Sequence, residues 1–364
     1  MIGIIATTSP PRAVRASAWS WLRQNLFSSP ANAAITCICA YLLFVTLPAI
    51  VEYLVLSASF DGSSREDCTS GGACWVFVRV RFNQFMYGFY PVDQRWRVDF
   101  AGVLLLLQIG LLVLPRFSLK ALVVVLGTLA IAPTCLVLLS GGTFGLRTVE
   151  TREWGGFMVT MFMAYYGTLI AVPLSLLLAL GRQSRLPVIK WVSTVMIEFW
   201  RGVPMITVIF LASNLLPLIV PAGITVDKLT RALIAFALVA AAYMAEVLRG
   251  GLQSVPKGQY EAAGALGLGY WRATSLVILP QAIRPVIPNL VNEFISLFKN
   301  TTLVLIVSLF DMLGIIQSAL TDPKWVGLNL EGYLFAGAVY WAICFSLSQW
   351  SQRLERRLAT KAHR

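Results

Sequence analysis

The chain has 364 residues, 57% of them hydrophobic and 13% charged, with a formal net charge of +12. A soluble domain carries about a quarter charged residues, so this composition excludes an ordinary soluble globule. Nearly all of the positive charge lies in short segments between apolar runs, where it orients a membrane protein, and this leaves no case for nucleic-acid binding.

The first thirty residues contain Arg12, Arg15 and Arg23 without a continuous apolar stretch, so no cleaved signal peptide is read there. Apolar runs follow near 34–57, 100–115, 120–139, 156–180, 203–220, 230–249, 286–310 and 332–351. About 20 apolar residues cross a hydrocarbon core of ~30 Å as a helix. In lipid such a segment must satisfy its own backbone polar groups. The predicted fold class is therefore an all-α polytopic membrane protein with about eight transmembrane helices. Of the 29 Lys and Arg residues, 17 fall on the side that holds both termini, against two clear acids, Glu261 and Glu355. The positive-inside bias places both termini in the cytoplasm.

Residues 60–98 are read as a long extracytoplasmic loop, rich in aromatics in "WVFVRVRFNQFMYGFYPVDQRW". It also holds "CTSGGAC", with Cys68 and Cys74. An oxidising compartment would let the two pair, and the glycines would ease so tight a ring. A reduced pair is equally compatible with the sequence. Cys37, Cys39, Cys135 and Cys344 fall in spans, where a lone cysteine is usually a small hydrophobe. The linker "SGGTFGLRTVETREWGG" divides residues 1–150, three spans with few polar groups inside them, from residues 151–352, five spans with charges inside them. A basic tail, 353–364, follows. The first part is read as an added wall and the second as the working unit.

Within the working unit, an ionisable group inside a span usually faces a partner or a water-filled cavity. Glu198 and Arg201 are three apart and either pair with each other or let Arg201 snorkel to the interface. Glu246 and Arg249, also three apart, are expected to form a local ion pair. Along the run 286–310, Asn289, Asn292, Ser296 and Lys299 are spaced 3, 4 and 3 and share a helical face, flanked by Glu293 and Asn300. Such a stripe would line a translocation path, with Glu293 toward an ammonium and Lys299 or Arg201 toward a carboxylate. Hydrogen-bonded helix packing is the alternative. Pro204, Pro280 and Pro288 either bend their spans or simply mark where the spans begin.

Several chemistries are missing. The one histidine is His363, no Gly-Lys dipeptide of a P-loop occurs, and neither G-x-S-x-G nor C-x-x-C is present. No catalytic residue, metal site or bound cofactor is expected, and energy for any driven process would come from another chain.

Residues 258–285 read "GQYEAAGALGLGYWRATSLVILPQAIRP". Each interior glycine weakens a helix by about 1 kcal/mol relative to alanine, so this is a poor free-standing helix. Its small residues instead permit close approach of another surface, and Glu261 suits a helix start. The segment resembles the EAA loop of ABC-importer permeases: Glu261, Ala262 and Ala263, three residues, Gly267, nine residues, then an apolar residue, one more, Leu279 and Pro280. Val277 stands where isoleucine is commoner. "AAYMAEVLRGGLQSVPKGQYEAA", "IRPVIPNLVNEFISLFKNTTL" and "MIEFWRGVPM" are similar to the polar amino-acid branch of that family, with Val203 in place of a threonine. The resemblance covers about 155–350. The three extra spans resemble the larger permease subunits of general L-amino-acid or glutamate/glutamine/aspartate/asparagine transporters.

The resemblance implies a five-helix type I importer core in the bacterial inner membrane with three added N-terminal spans. It also implies a second homologous permease forming a heterodimer, a cytoplasmic ATPase dimer holding ATP and Mg, and a periplasmic amino-acid-binding protein. Segment 251–285 would be the coupling loop, with Glu261, Ala262, Ala263, Gly267, Leu279 and Pro280 transmitting ATPase movement. Substrate-path residues would come from Glu198, Arg201, Asn292, Glu293, Ser296, Lys299 and Asn300. The competing reading is an ion-coupled carrier acting alone.

Overall fold

The structure is a computed structural model that describes residues 17–113, 123–124, 126–221 and 225–362, with side chains described to residue 356. Arg12, Arg15, Arg116, Lys120, His363 and Arg364 lie outside the described residues, as do 120–122 and 125 of the run expected at 120–139. No β-strand occurs among the described residues, only two isolated bridges. The chain divides into two compact units that meet between Val76 and Phe77.

In the first unit, helix α1 spans Ala18–Asn25 and helix α2 spans Pro30–Val51. Ser29 caps α2 by accepting from Asn32 N at 3.2 Å, and Pro30 occupies a first-turn position that has no N–H to lose. A π turn carries the helix on to Leu56. The chain then folds tightly on itself. Cys68 and Cys74 are joined as a disulfide with Cα atoms 5.6 Å apart, and Trp75 Nε1 donates to Leu54 O at 2.8 Å. Gly72 has no room for a side chain, since a Cβ there would lie 2.2 Å from Ser57 O. The backbone N–H groups of Ser63 and Ser64 hold the Asp67 carboxyl below the usual carboxylate range.

Helix α3, Val76–Tyr87, leads into the second unit and lies inside the segment expected as a long extracytoplasmic loop. Side-chain packing holds it. Phe77 stacks edge-on to Phe85 at 5.5 Å and meets Trp325 at 5.6 Å, while Phe85 meets Phe335 at 5.7 Å. Phe77 and Phe85 are fully buried, so this segment packs on the C-terminal part of its own chain. Helix α4, Arg95–Val113, and helix α5, Ala132–Ser140, come next. Arg97, 1% exposed, donates to Arg147 O at 2.8 Å and fastens the following linker.

There follow α6 (Phe157–Arg182), α7 (Pro187–Gly202), α8 (Met205–Asn214), α9 (Lys228–Ser254) and, after the short α10 (Lys257–Ala265), α11 (Leu279–Asn300). Helix α12, Met312–Leu320, and helix α13, Asn329–Ala362, close the chain. Helix α9 is the central post, packed against α6, α7, α8 and α11. Its buried Ala232, Ala235, Ala237, Ala241, Ala242 and Ala245 let neighbouring backbones come close, the usual basis of helix association where lipid is as apolar as leucine. Helix α12 is capped by buried Asp311, which accepts from Gly314 N at 2.9 Å and from the Tyr340 hydroxyl at 3.0 Å.

Among the described residues, five helices are long and apolar enough to cross a membrane: Pro30–Leu56, Phe157–Arg182, Lys228–Ser254, Tyr270–Val307 and Asn329–Arg356. A bent pair makes six. That pair contains most of the run expected at 203–220: α8 follows α7 after a short break, and the two helices meet at 101°. Val203, preceding Pro204, is forced into an extended conformation, and the helix breaks there. The run expected at 286–310 likewise begins earlier, at Tyr270, because a π turn at Thr274–Ile278 joins the preceding turn to α11. Pro280 follows that turn immediately, where a missing N–H disturbs the helical ladder.

Paired substitutions at two adjacent glycines test the packing of α9 on α11. A Cβ on Gly251 would lie 2.4 Å from Ala282 O and 2.9 Å from Val286 Cγ1, whereas a Cβ on Gly250 meets nothing within 4 Å. Gly251→Ala is expected to destabilise the detergent-solubilised protein by the ~1–3 kcal/mol typical of overpacking. Gly250→Ala should be neutral or stabilising by up to about 1 kcal/mol through helix propensity. Thermal unfolding midpoints of the two variants check this, and equal midpoints would contradict the close approach.

Candidate functional site

Helix α10 is a short helix of nine residues, largely exposed, between the long helices α9 and α11. Its end is set by a glycine. Gly267 adopts φ +70° and donates to Gly264 O at 2.9 Å, while Leu268 N donates to Ala263 O at 3.1 Å. These are the two bonds of a Schellman cap, in which a left-handed residue satisfies carbonyls orphaned at a helix end. The spacing from Ala263 to Gly267 is thus the spacing this cap requires. Ala263, 2% exposed, is the inward anchor of α10, and Glu261, Ala262, Gly264, Ala265 and Leu266 face outward. Two further ties hold the helix: the Tyr260 hydroxyl donates to Leu252 O at 3.2 Å, and Gln281 Nε2 donates to Gln259 Oε1 at 3.1 Å. Leu266, Tyr270 and Trp271 form an exposed apolar cluster beside it. Leu279 and Pro280 lie away from α10, in the first turn of α11.

Helices α8, α9 and α11 line a cavity of about 270 Å³. Met205 enters from the broken end of α8. Val239, Ala240, Tyr243 and Met244 form the α9 wall, and Glu293, Ser296, Leu297 and Asn300 form the α11 wall. Each wall repeats at intervals of three and four, one face of a helix. A mainly apolar cavity with a few converging polar groups is the form a small-solute site takes. Glu293 is its one acidic lining group, and Ser296, Asn300 and Tyr243 are the other polar residues on its wall.

Of the residues singled out in the sequence, Glu293, Ser296 and Asn300 are brought together here. Asn289, Asn292 and Lys299 are exposed and do not line the cavity, so only part of the polar stripe contributes to its wall. Glu198 and Arg201 do not pair with each other. Glu198 accepts from Arg182 Nη2 at 2.9 Å, and Arg201 Nη1 stands 3.9 Å from Glu246 Oε2. Arg182 also donates to Glu246 at 3.0 Å, and Arg249 binds both Glu246 oxygens through Nε at 3.0 Å. The ends of α6 and α7 are thereby tied to α9 by one ionic cluster. Arg182, Met205, Tyr243 and Met244 were not singled out in the sequence. The spacing of Val239 and Ala240 from Tyr243 and Met244 by three and four residues in "VAAAYMAEV" was the signal available for the α9 wall.

The model of the family "Binding-protein-dependent transport system inner membrane component" matches residues 171–360. The chain is 46% identical to the inner membrane amino-acid ABC transporter permease protein YhdY of Escherichia coli K12, over 98% of each chain. It is 38% identical to the glutamate/glutamine/aspartate/asparagine transport system permease protein BztC of Rhodobacter capsulatus, over 96% of this chain and 95% of that one. With the probable amino-acid ABC transporter permease protein YckA of Bacillus subtilis it shares 34% identity over 56% of this chain and 88% of the relative.

Proposed function

Because the chain belongs to the family of binding-protein-dependent transport system inner membrane components, we propose that it is the permease subunit of an ATP-driven importer of polar or general L-amino acids. The observation that carries this reading is α10: a capped helix of nine residues, outward-facing and small-surfaced, held between two membrane-crossing rods. A surface of that kind suits the groove of a soluble motor, and its Glu261, Ala262, Ala263 and Gly267 would be the coupling residues, with Leu279 and Pro280 at the start of the rod they move. Family membership displaces the ion-coupled carrier as an explanation of the chain.

The same reading supplies the rest of the assembly. A second, related permease completes the pathway as a heterodimer, a cytoplasmic ATPase dimer holds ATP and Mg, and a periplasmic binding protein delivers the amino acid. Residues 151–352 form the core, and 1–150 are an addition. The short relative that matches only part of this chain supports that division. Eight crossings with both termini cytoplasmic would place α10 on the ATPase side, in keeping with the basic residues of the loops. In the cavity, Glu293 would face the substrate ammonium and Ser296 and Asn300 its polar groups. Glu198, Arg201, Asn292 and Lys299 would act along the path outside the cavity, where the partner permease closes it.

Mild detergent extraction tests the reading. A second permease and an ATPase should copurify with this chain, and reconstituted vesicles should take up amino acids only with ATP and the binding protein. A stable chain that purifies alone and transports on an ion gradient would overturn it.

A further inference from the structure

We propose that Glu246 is a positioning residue, an ionic latch that holds the broken span against α9 and keeps the cavity closed on the side of α10. This rests on the importer reading. The carboxylate lies on α9 where the ends of α6 and α7 pack against it. It accepts from Arg182 at the end of α6 and from Arg249 one turn further along α9, and Arg201 of α7 stands 3.9 Å away. One of these charges, Arg201, reaches the cavity wall through two contacts. The Arg201 guanidinium lies over the Tyr243 ring at 5.7 Å, and the Tyr243 hydroxyl donates to Arg201 O at 3.4 Å. Arg201 is four residues from Met205 across the 101° break, and both Met205 and Tyr243 line the cavity. In the other direction, Glu246 is eight residues from the end of α9 at Ser254, about two turns of helix above α10.

Glu246 therefore sits on the mechanical line from α10 to the cavity, with three arginines and Glu198 as its charged neighbours. A small rotation of α9 shifts its carboxylate from one arginine to another and carries Tyr243 and Arg201 with it. Clusters with two discrete arrangements of this kind convert small displacements into switching.

The test uses the assembled transporter in proteoliposomes with its binding protein, and a mixture of radiolabelled L-glutamate, L-glutamine, L-aspartate and L-asparagine. In Glu246→Gln, the amount moved per ATP hydrolysed should fall about tenfold or more, a coupling of ordinary size, while ATP hydrolysis continues. Glu246→Asp should restore most of the ratio. An unchanged ratio in Glu246→Gln, or a parallel loss of both rates with no rescue by aspartate, overturns the latch. If Glu246→Gln fails to assemble, Tyr243→Phe removes only the hydroxyl bond to Arg201 O, and the same fall in ratio is expected of it; a wild-type ratio counts against the latch. A second arm does not depend on transport. A cysteine at Met205 should be labelled faster by a membrane-impermeant thiol reagent in Glu246→Gln than with Glu246 intact, read by mass spectrometry at that position. Equal labelling overturns the latch, whereas faster labelling with no ATP-driven uptake by the parent protein would place the failure with the importer reading.

Discussion

Gly267→Val is expected to cut ATP-driven uptake by roughly 5- to 30-fold while the chain still inserts and accumulates. The residue occupies φ +70°, and a Cβ built there meets nothing within 4 Å. Crowding is therefore not the issue; the backbone is. A left-handed conformation costs an L-residue about 1–2 kcal/mol, and a β-branched side chain stands at the upper end. Paying that strain or giving up the Schellman cap are the alternatives, and either one moves Leu266, Tyr270 and Trp271 relative to α10. Gly267→Asn should be milder, because asparagine is the other residue that commonly ends helices in this way. Uptake and ATPase stimulation, normalised to the amount of chain in the membrane, are the measurements. Normal uptake by the valine variant would separate the cap from coupling.

Glu293→Gln is expected to raise the apparent KM for uptake by about 10- to 100-fold with little change in assembly, the loss of one charge-assisted hydrogen bond worth ~1.5–3 kcal/mol. Among the cavity-lining groups Glu293 is the only one with a negative charge, and it is surrounded by Tyr243, Ser296, Asn300 and apolar side chains. An amide keeps the shape and removes the charge. Concentration dependence of uptake distinguishes this from damage to the path: a fall in maximal rate with KM unchanged would remove Glu293 from ligand contact.

Much of the architecture is legible in composition, because a hydrocarbon solvent leaves helices few alternatives. The break at Val203–Pro204 follows from local sterics, and the Glu246–Arg249 pair from helical spacing. Relations between distant residues are another matter. Arg182 looks like an orienting charge at the end of a span, and nothing local shows that it bridges Glu198 and Glu246. Periodicity places Asn289, Asn292, Ser296 and Lys299 on one face, but a helix of 3.6 residues per turn turns by about 100° per residue. Glu293 and Asn300, one step round, meet the cavity because α8 and α9 are there. The stretch from Val76 to Tyr87 alternates apolar and basic residues without a clear helical stripe, and becomes a buried helix through aromatic partners more than 200 residues away, at Trp325 and Phe335.

The joints on either side of α10 are short: Val255 and Pro256 before it, Leu266 to Gly269 after it. One leads to α9 and the other to the continuous helical run Tyr270–Val307, about 57 Å of rod at 1.5 Å per residue. Those two rods carry the facing residues of the cavity, Tyr243 on one and Glu293 on the other. On the importer reading, pressing on α10 would be like working the handle of a pair of tongs. With no slack in the joints, a stroke would arrive at the jaws as displacement and not be absorbed by a tether. The grip could then be refitted to a different solute at positions 239–244 and 293–300 while the handle stays the same.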